Sequence, residues 1–157
     1  MASALSFEVS LPGLVTLSPA NVTFMELADP AGSFFPAPPP FAPSASNMFV
    51  QTDQPLQVNF SWTASGAIFS FLTGTWNCAV FLELLGGGGV NPAPATGTTA
   101  VVTAFNNAYN VDVNLPAITA PGLYRVVATI TLQGPTAIML PIAGFTDIGI
   151  LQVYEAF

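Results

Sequence analysis

A chain of 157 residues with eight carboxylates, one cation and no histidine carries a formal charge of -7. Affinity for phosphate backbones and anionic lipid depends on clustered Lys and Arg, so nucleic acid is excluded as a partner and so is electrostatic docking on a membrane surface. Hydrophobic residues make up 52% of the chain and charged ones 6%, against about 25% charged in ordinary soluble domains. Such a surface is solvated by Thr, Ser, Asn and Gln or is hidden against other subunits, which makes assembly with copies of itself the leading expectation.

One domain over residues 1–157 is the simplest arrangement, longer than the roughly 100 residues of a minimal sandwich, so an arm or extra strand is expected. Leu5, Phe7, Val9 and Leu11 alternate with Ser6, Glu8 and Ser10 before Pro12 and Gly13, a half-buried strand within residues 1–12. It serves either as an edge strand of its own sheet or as a strand donated to a neighbouring subunit, because both need the same alternation. No cationic or continuous apolar leader is visible at the N-terminus; an extracellular or cell-surface location is nevertheless favoured.

Residues 14–17 and 22–27 are two short strand candidates. Residues 29–47 then hold six prolines and three phenylalanines. Proline at that density withholds backbone donors and favours extended polyproline II, so this is a loop or arm. Phe34, Phe35 and Phe41 are its apolar contents, fit either to pin the loop on the parent core or to anchor it on another subunit. Residues 48–52 give a further strand, and Leu56, Val58, Phe60 and Trp62 alternate with polar residues in the next.

Residues 64–85 are long enough to span a bilayer. Thr73, Gly74, Thr75 and Asn77 at the centre, Glu83 near the end and the absence of flanking Lys or Arg argue for two strands joined by a Thr-Gly turn instead, with no membrane span. Residues 76–85, apolar on both faces, are expected to form a central strand, ended by glycines 86–89. Residues 98–105 form another strand, Asn106 and Asn107 a turn, and Tyr109, Val111, Val113 and Leu115 alternate with Asn110, Asp112 and Asn114. The clearest strand follows Pro121 and Gly122: Tyr124, Val126, Ala128, Ile130 and Leu132 against Arg125, Val127, Thr129, Thr131 and Gln133. Residues 137–142 and 145–154 complete the series.

Short strands at this spacing, without a convincing helix, predict an all-β fold: an antiparallel two-sheet sandwich with an N-terminal strand and a Pro/Phe-rich arm. Residues 120–126, A-P-G-L-Y-R-V, resemble the tyrosine-corner entry to the penultimate strand of immunoglobulin-like domains, as in bacterial Ig-like modules. The resemblance makes Tyr124 the corner residue and Gly122 its turn, and implies a core tryptophan at Trp62 or Trp76. It covers about the last 100 residues; the family's paired cysteines are missing and the Pro-rich segment is not part of its pattern.

Catalytic chemistry finds no footing. Without histidine and with one cysteine, Cys78, nucleophile-base pairs cannot be assembled, zinc lacks its usual ligands, and no cofactor motif occurs. Cys78 lies in an apolar run and reads as a small buried hydrophobe. The sole cation, Arg125, is expected to pair with Glu83 or Asp112 on neighbouring strands. Asn21-Val22-Thr23 and Asn59-Phe60-Ser61 match the glycosylation acceptor pattern. The chain therefore reads as a non-catalytic structural protein that assembles with itself into a filament, shell or surface layer. The proposed contacts are Leu5, Phe7, Val9 and Leu11 with Phe34, Phe35 and Phe41, by exchange of the N-terminal strand. The alternative is a carbohydrate-binding or adhesive module presenting Trp62, Trp76 or Tyr109 to a sugar.

Overall fold

The computed structural model describes residues 3–8, 14–27, 48–52, 54–86 and 89–155. The described chain runs β1 (Ser3–Phe7), β2 (Thr16–Leu17), β3 (Ala20–Glu26), β4 (Phe49–Gln51) and β5 (Leu56–Ser65). A 3-10 turn at Ala67–Ser70 follows, then β6 (Thr75–Leu85), β7 (Ala95–Ala100), β8 (Asn106–Leu115), β9 (Gly122–Gln133) and β10 (Met139–Tyr154). No α-helix occurs among the described residues, and none of their helices is long and apolar enough to cross a membrane.

Three strands fold as their alternation dictates. On β9 the side chains of Tyr124, Val126, Ala128, Ile130 and Leu132 are buried, on β8 those of Tyr109, Val111, Val113 and Leu115, and on β5 those of Leu56, Val58, Phe60, Trp62 and Ala64. A period of two places each set on one face, and a sheet with one covered face needs no more than that.

All ten strands join one hydrogen-bonded, curled sheet in which every pairing is antiparallel except that of β4 with β10. The path runs β2-β5-β3-β1-β10-β9-β6-β7, with β8 on the other side of β5. Its two halves meet at β1. Ser3, Ala4 and Leu5 pair with β3, whereas Ser6 and Phe7 pair with β10. The curl brings β7 back alongside β8 without a ladder between them. Gly97 marks that approach, since a Cβ there would lie 3.0 Å from the Asp112 carbonyl oxygen.

Several boundaries differ from expectation. Residues 67–70 make the 3-10 turn in place of the strand expected over 67–72, because Phe69 folds inward to full burial and Gly66 takes φ +133°, a conformation other residues rarely adopt. Asn106 and Asn107 begin β8 instead of forming a turn. Asn107 Nδ2 reaches back to the carbonyls of Val102 and Ala104, 2.9 Å each, and closes the loop that precedes it. β6 is central, between β9 and β7, but covered on one face only: Trp76, Cys78, Val80 and Leu82 point inward, while Phe81 and Glu83 face outward. The last two expected strands are one, β10, broken in register between Met139 and Ala143 and between Asp147 and Gly149.

Candidate functional site

The core excludes one reading of the aromatic residues. Trp62 and Trp76 meet edge-to-face at 5.6 Å, Tyr109 stacks on Trp62 at 5.1 Å, and Phe7 and Phe69 close around Trp76. All three expected sugar-binding rings are buried, with 2%, 0% and 4% of their surface exposed. No face of Trp62, Trp76 or Tyr109 is presented to a ligand. The cluster lies where the two halves of the curled sheet face each other, and these large rings fill the space between them.

Of the residues expected at an assembly contact, Leu5 is fully buried and Phe7 is half-buried against Trp76. Both lie in the chain's own sheet. Val9, Leu11, Phe34, Phe35, Phe41 and the arm over residues 29–47 lie outside the described residues. Tyr124 Oη donates to the Ala120 carbonyl at 2.9 Å across the turn that contains Gly122. Cys78 is fully buried, and burial pushes its thiol up from 9.0 to about 12.

The chain's single cation sits on the outer face of β9. Arg125 Nε donates to Asp147 Oδ2 at 2.8 Å, and its Nη1 stands 4.0 Å from Glu83 Oε2. Glu83 is directly opposite Arg125 in the β6–β9 register. Asp112 is not a partner: β8 pairs with β5 rather than β9, and the Asp112 carboxylate accepts from Asn59 Nδ2 at 2.7 Å on the other half of the sheet. Sequence order suggested that β8 and β9 adjoin, whereas the chain crosses between halves there. Asp147 was missed because it reaches Arg125 through the bulge that follows it. Gly149, with φ +134°, donates its N–H to Asp147 Oδ1 at 3.1 Å and fixes the carboxylate. The Asp-Ile-Gly sequence within a strand was the available signal.

Around this charge network the outer face of β10, β9 and β6 is apolar. Register sets Ile150 beside Arg125, Leu123 beside Leu85, Val127 beside Phe81, and Phe145 beside Thr129. Phe49 on β4 extends the row next to Gln152. Exposure is 61% for Phe145, 55% for Ile150, 51% for Phe49, 45% for Leu123, 42% for Phe81 and 37% for Leu85. Large side chains left half in water on one face are the usual mark of an interaction surface.

The outer face of β3, β5 and β8 has the opposite chemistry. Gln57 Nε2 donates to Asn114 Oδ1 at 2.8 Å, and Asn59 Nδ2 donates to both Asn110 and Asp112. Thr63, Ser65, Asn106 and Asn107 border a shallow depression at the end of this ladder.

No protein-family model and no curated protein matches the chain. Among solved structures it is similar to the C-terminal domain of Wzt, at 14% identity and a TM-score of 0.52, over 98% of this chain and 80% of that one. At that identity the likeness concerns the all-β fold.

Proposed function

We propose that this chain is a non-catalytic structural protein that assembles with copies of itself into a filament, shell or surface layer. The observation that carries this reading is the outer face of β10, β9 and β6, where five large apolar side chains, with Phe49 of β4 beside them, stand roughly half exposed around the only cation. A chain with 6% charged residues has few means of keeping such a face solvated. The two halves of the curled sheet act as the layers of an Ig-like sandwich. The Trp62–Trp76 contact between them and the hydrogen bond from Tyr124 to Ala120 support that arrangement.

Exchange of the N-terminal strand is the second element of the proposal. β1 occupies its own slot between β3 and β10 through two short registers, so the same contacts made in trans would link subunits without new chemistry. The test is the mass distribution of the full chain, and of a chain lacking residues 1–12, by light scattering and negative-stain microscopy. Regular polymers from the full chain and dispersed subunits from the shortened one are expected. Monomers from the full chain across the whole concentration range would overturn the proposal.

A second reading, carbohydrate binding, draws on the ladder of β5 and β8, whose amides and Asp112 carboxylate suit sugar hydroxyls. It predicts calorimetric binding of a glycan that Asn114→Ala weakens. With the tryptophans buried, their fluorescence should not report it.

A further inference from the structure

The assembly reading leaves open which surfaces meet, and the outer face itself supplies a self-complementary arrangement. We infer that two copies pack this face against each other about a two-fold axis running along the strands between β9 and β6, an inference that rests on the proposed self-association. Such an axis lies in the contact plane and exchanges the two strands. Arg125 of each copy then faces Glu83 of the other, while Leu123 faces Leu85 and Val127 faces Phe81, because those are the register pairs across which the axis runs.

Charge favours this axis over its alternatives. An axis perpendicular to the strands through Arg125 sets the two guanidinium groups against each other, and one between β10 and β9 sets Arg125 against Ile150. Within one chain Asp147 takes the Nε edge of Arg125 at 2.8 Å, but Glu83 stays at 4.0 Å, beyond hydrogen-bond reach. A partner's carboxylate approaching the outer edge of the guanidinium completes a bond that the fold leaves long.

Area agrees. The five such side chains on β10, β9 and β6, with roughly half their surface exposed, amount to about 400 Å² of apolar area. Arg125, Glu83, Asp147, Thr129 and Gln152 bring the patch toward the roughly 800 Å² that each partner contributes to a standard interface.

The test uses the full chain and two single substitutions, Arg125→Glu and Glu83→Arg, followed by sedimentation velocity on dilution. Each variant alone places like charges opposite each other at both symmetric contacts, so self-association should weaken roughly tenfold or more. In an equimolar mixture of the two variants both contacts carry opposite charges, and association should return toward that of the unsubstituted chain. Defects confined to one chain, misfolding included, would persist in the mixture. If the unsubstituted chain associates but either variant does so equally well, or if mixing restores nothing, this interface is wrong while self-association stands. If the unsubstituted chain is monomeric throughout, the assembly reading itself fails.

Discussion

Gly144 decides how firmly β1 is held in its own slot. It pairs with Phe7, and a Cβ built on it would lie 2.4 Å from Leu5 Cδ2 and 2.7 Å from the Ser6 backbone oxygen. The leucine terminus could rotate; the Ser6 oxygen belongs to β1 itself, so relief requires the strand to move. Overpacking of this kind costs about 1–3 kcal/mol. That is comparable to the roughly 2 kcal/mol contributed by burying Leu5, whose side chain is fully covered. Gly144→Ala should therefore shift the docking equilibrium of β1 toward the open state by roughly 5- to 150-fold.

Amide exchange measures it, most directly at Glu8, whose N–H donates to the Ala143 carbonyl at 2.9 Å. The control is Leu151→Ala, at a fully buried position further along β10. It destabilises the closed and β1-open states alike by about 2–5 kcal/mol, so it should accelerate exchange through global unfolding in β9 and leave β1 unchanged. Gly144→Ala should accelerate β1, because detaching the strand relieves the clash. If β1 and β9 instead keep the same exchange free energy in all three proteins, β1 opens only when everything unfolds. Strand exchange would then have no route from the folded state.

Two further predictions concern the core. The indole N–H groups of Trp62 and Trp76 are buried without a hydrogen-bond partner among the described residues; Trp76→Phe removes roughly 50 Å² of apolar contact, about 1 kcal/mol, and also an unsatisfied donor costing about 1–3 kcal/mol. Urea unfolding should therefore show a loss of at most about 1 kcal/mol, against about 3–5 kcal/mol for Trp76→Ala, and a Phe variant as damaging as the Ala one would mean that the N–H is satisfied. The Cys78 thiol, raised from 9.0 to about 12, keeps its proton in the fold after the unfolded chain has lost it. Stability should thus fall as pH rises through that window, by about 4 kcal/mol at most, and Cys78→Ala should be less alkali-sensitive. Well below pH 9, near neutrality, the thiol contributes no slope, and native protein at pH 7 should resist thiol reagents.

The inward faces of β5, β8 and β9 were legible in the sequence because a sheet covered on one side imposes strict alternation. β6 is central as expected, but only one face is covered: Ala79, Phe81 and Leu85 are apolar yet face outward, and composition alone does not distinguish an uncovered apolar face from a buried one. Glu83 was found as a partner of Arg125 from strand order; Asp112 was wrong because β8 and β9, though consecutive, belong to different halves of the curled sheet. Asp147 depends on a bulge, and the role of Gly144 on how closely β1 crosses β10. The first has a local signal in Asp147-Ile148-Gly149; the second is a property of backbones remote in sequence, which no local pattern encodes.

Under the proposed self-association, the two outer faces would divide one low-charge chain between a wet surface and an associating one. On β5 and β8 the polar groups bond sideways to one another, Gln57 to Asn114 and Asn59 to Asp112, and remain open to water. Covering that face would desolvate amides already partnered, with little apolar area to offset the cost. On β10, β9 and β6 the balance reverses: Phe145, Ile150, Leu123 and Phe81 lose unfavourable hydration when covered. The 4.0 Å separation of Arg125 and Glu83 leaves a charge contact that a second chain can shorten. Exposed as it is, the ion network contributes little to the stability of one chain, on the order of 1 kcal/mol or less. In the proposed dimer its larger effect would be on orientation, since like-charge alignments across the same apolar face are penalised and the Arg125–Glu83 alignment is not.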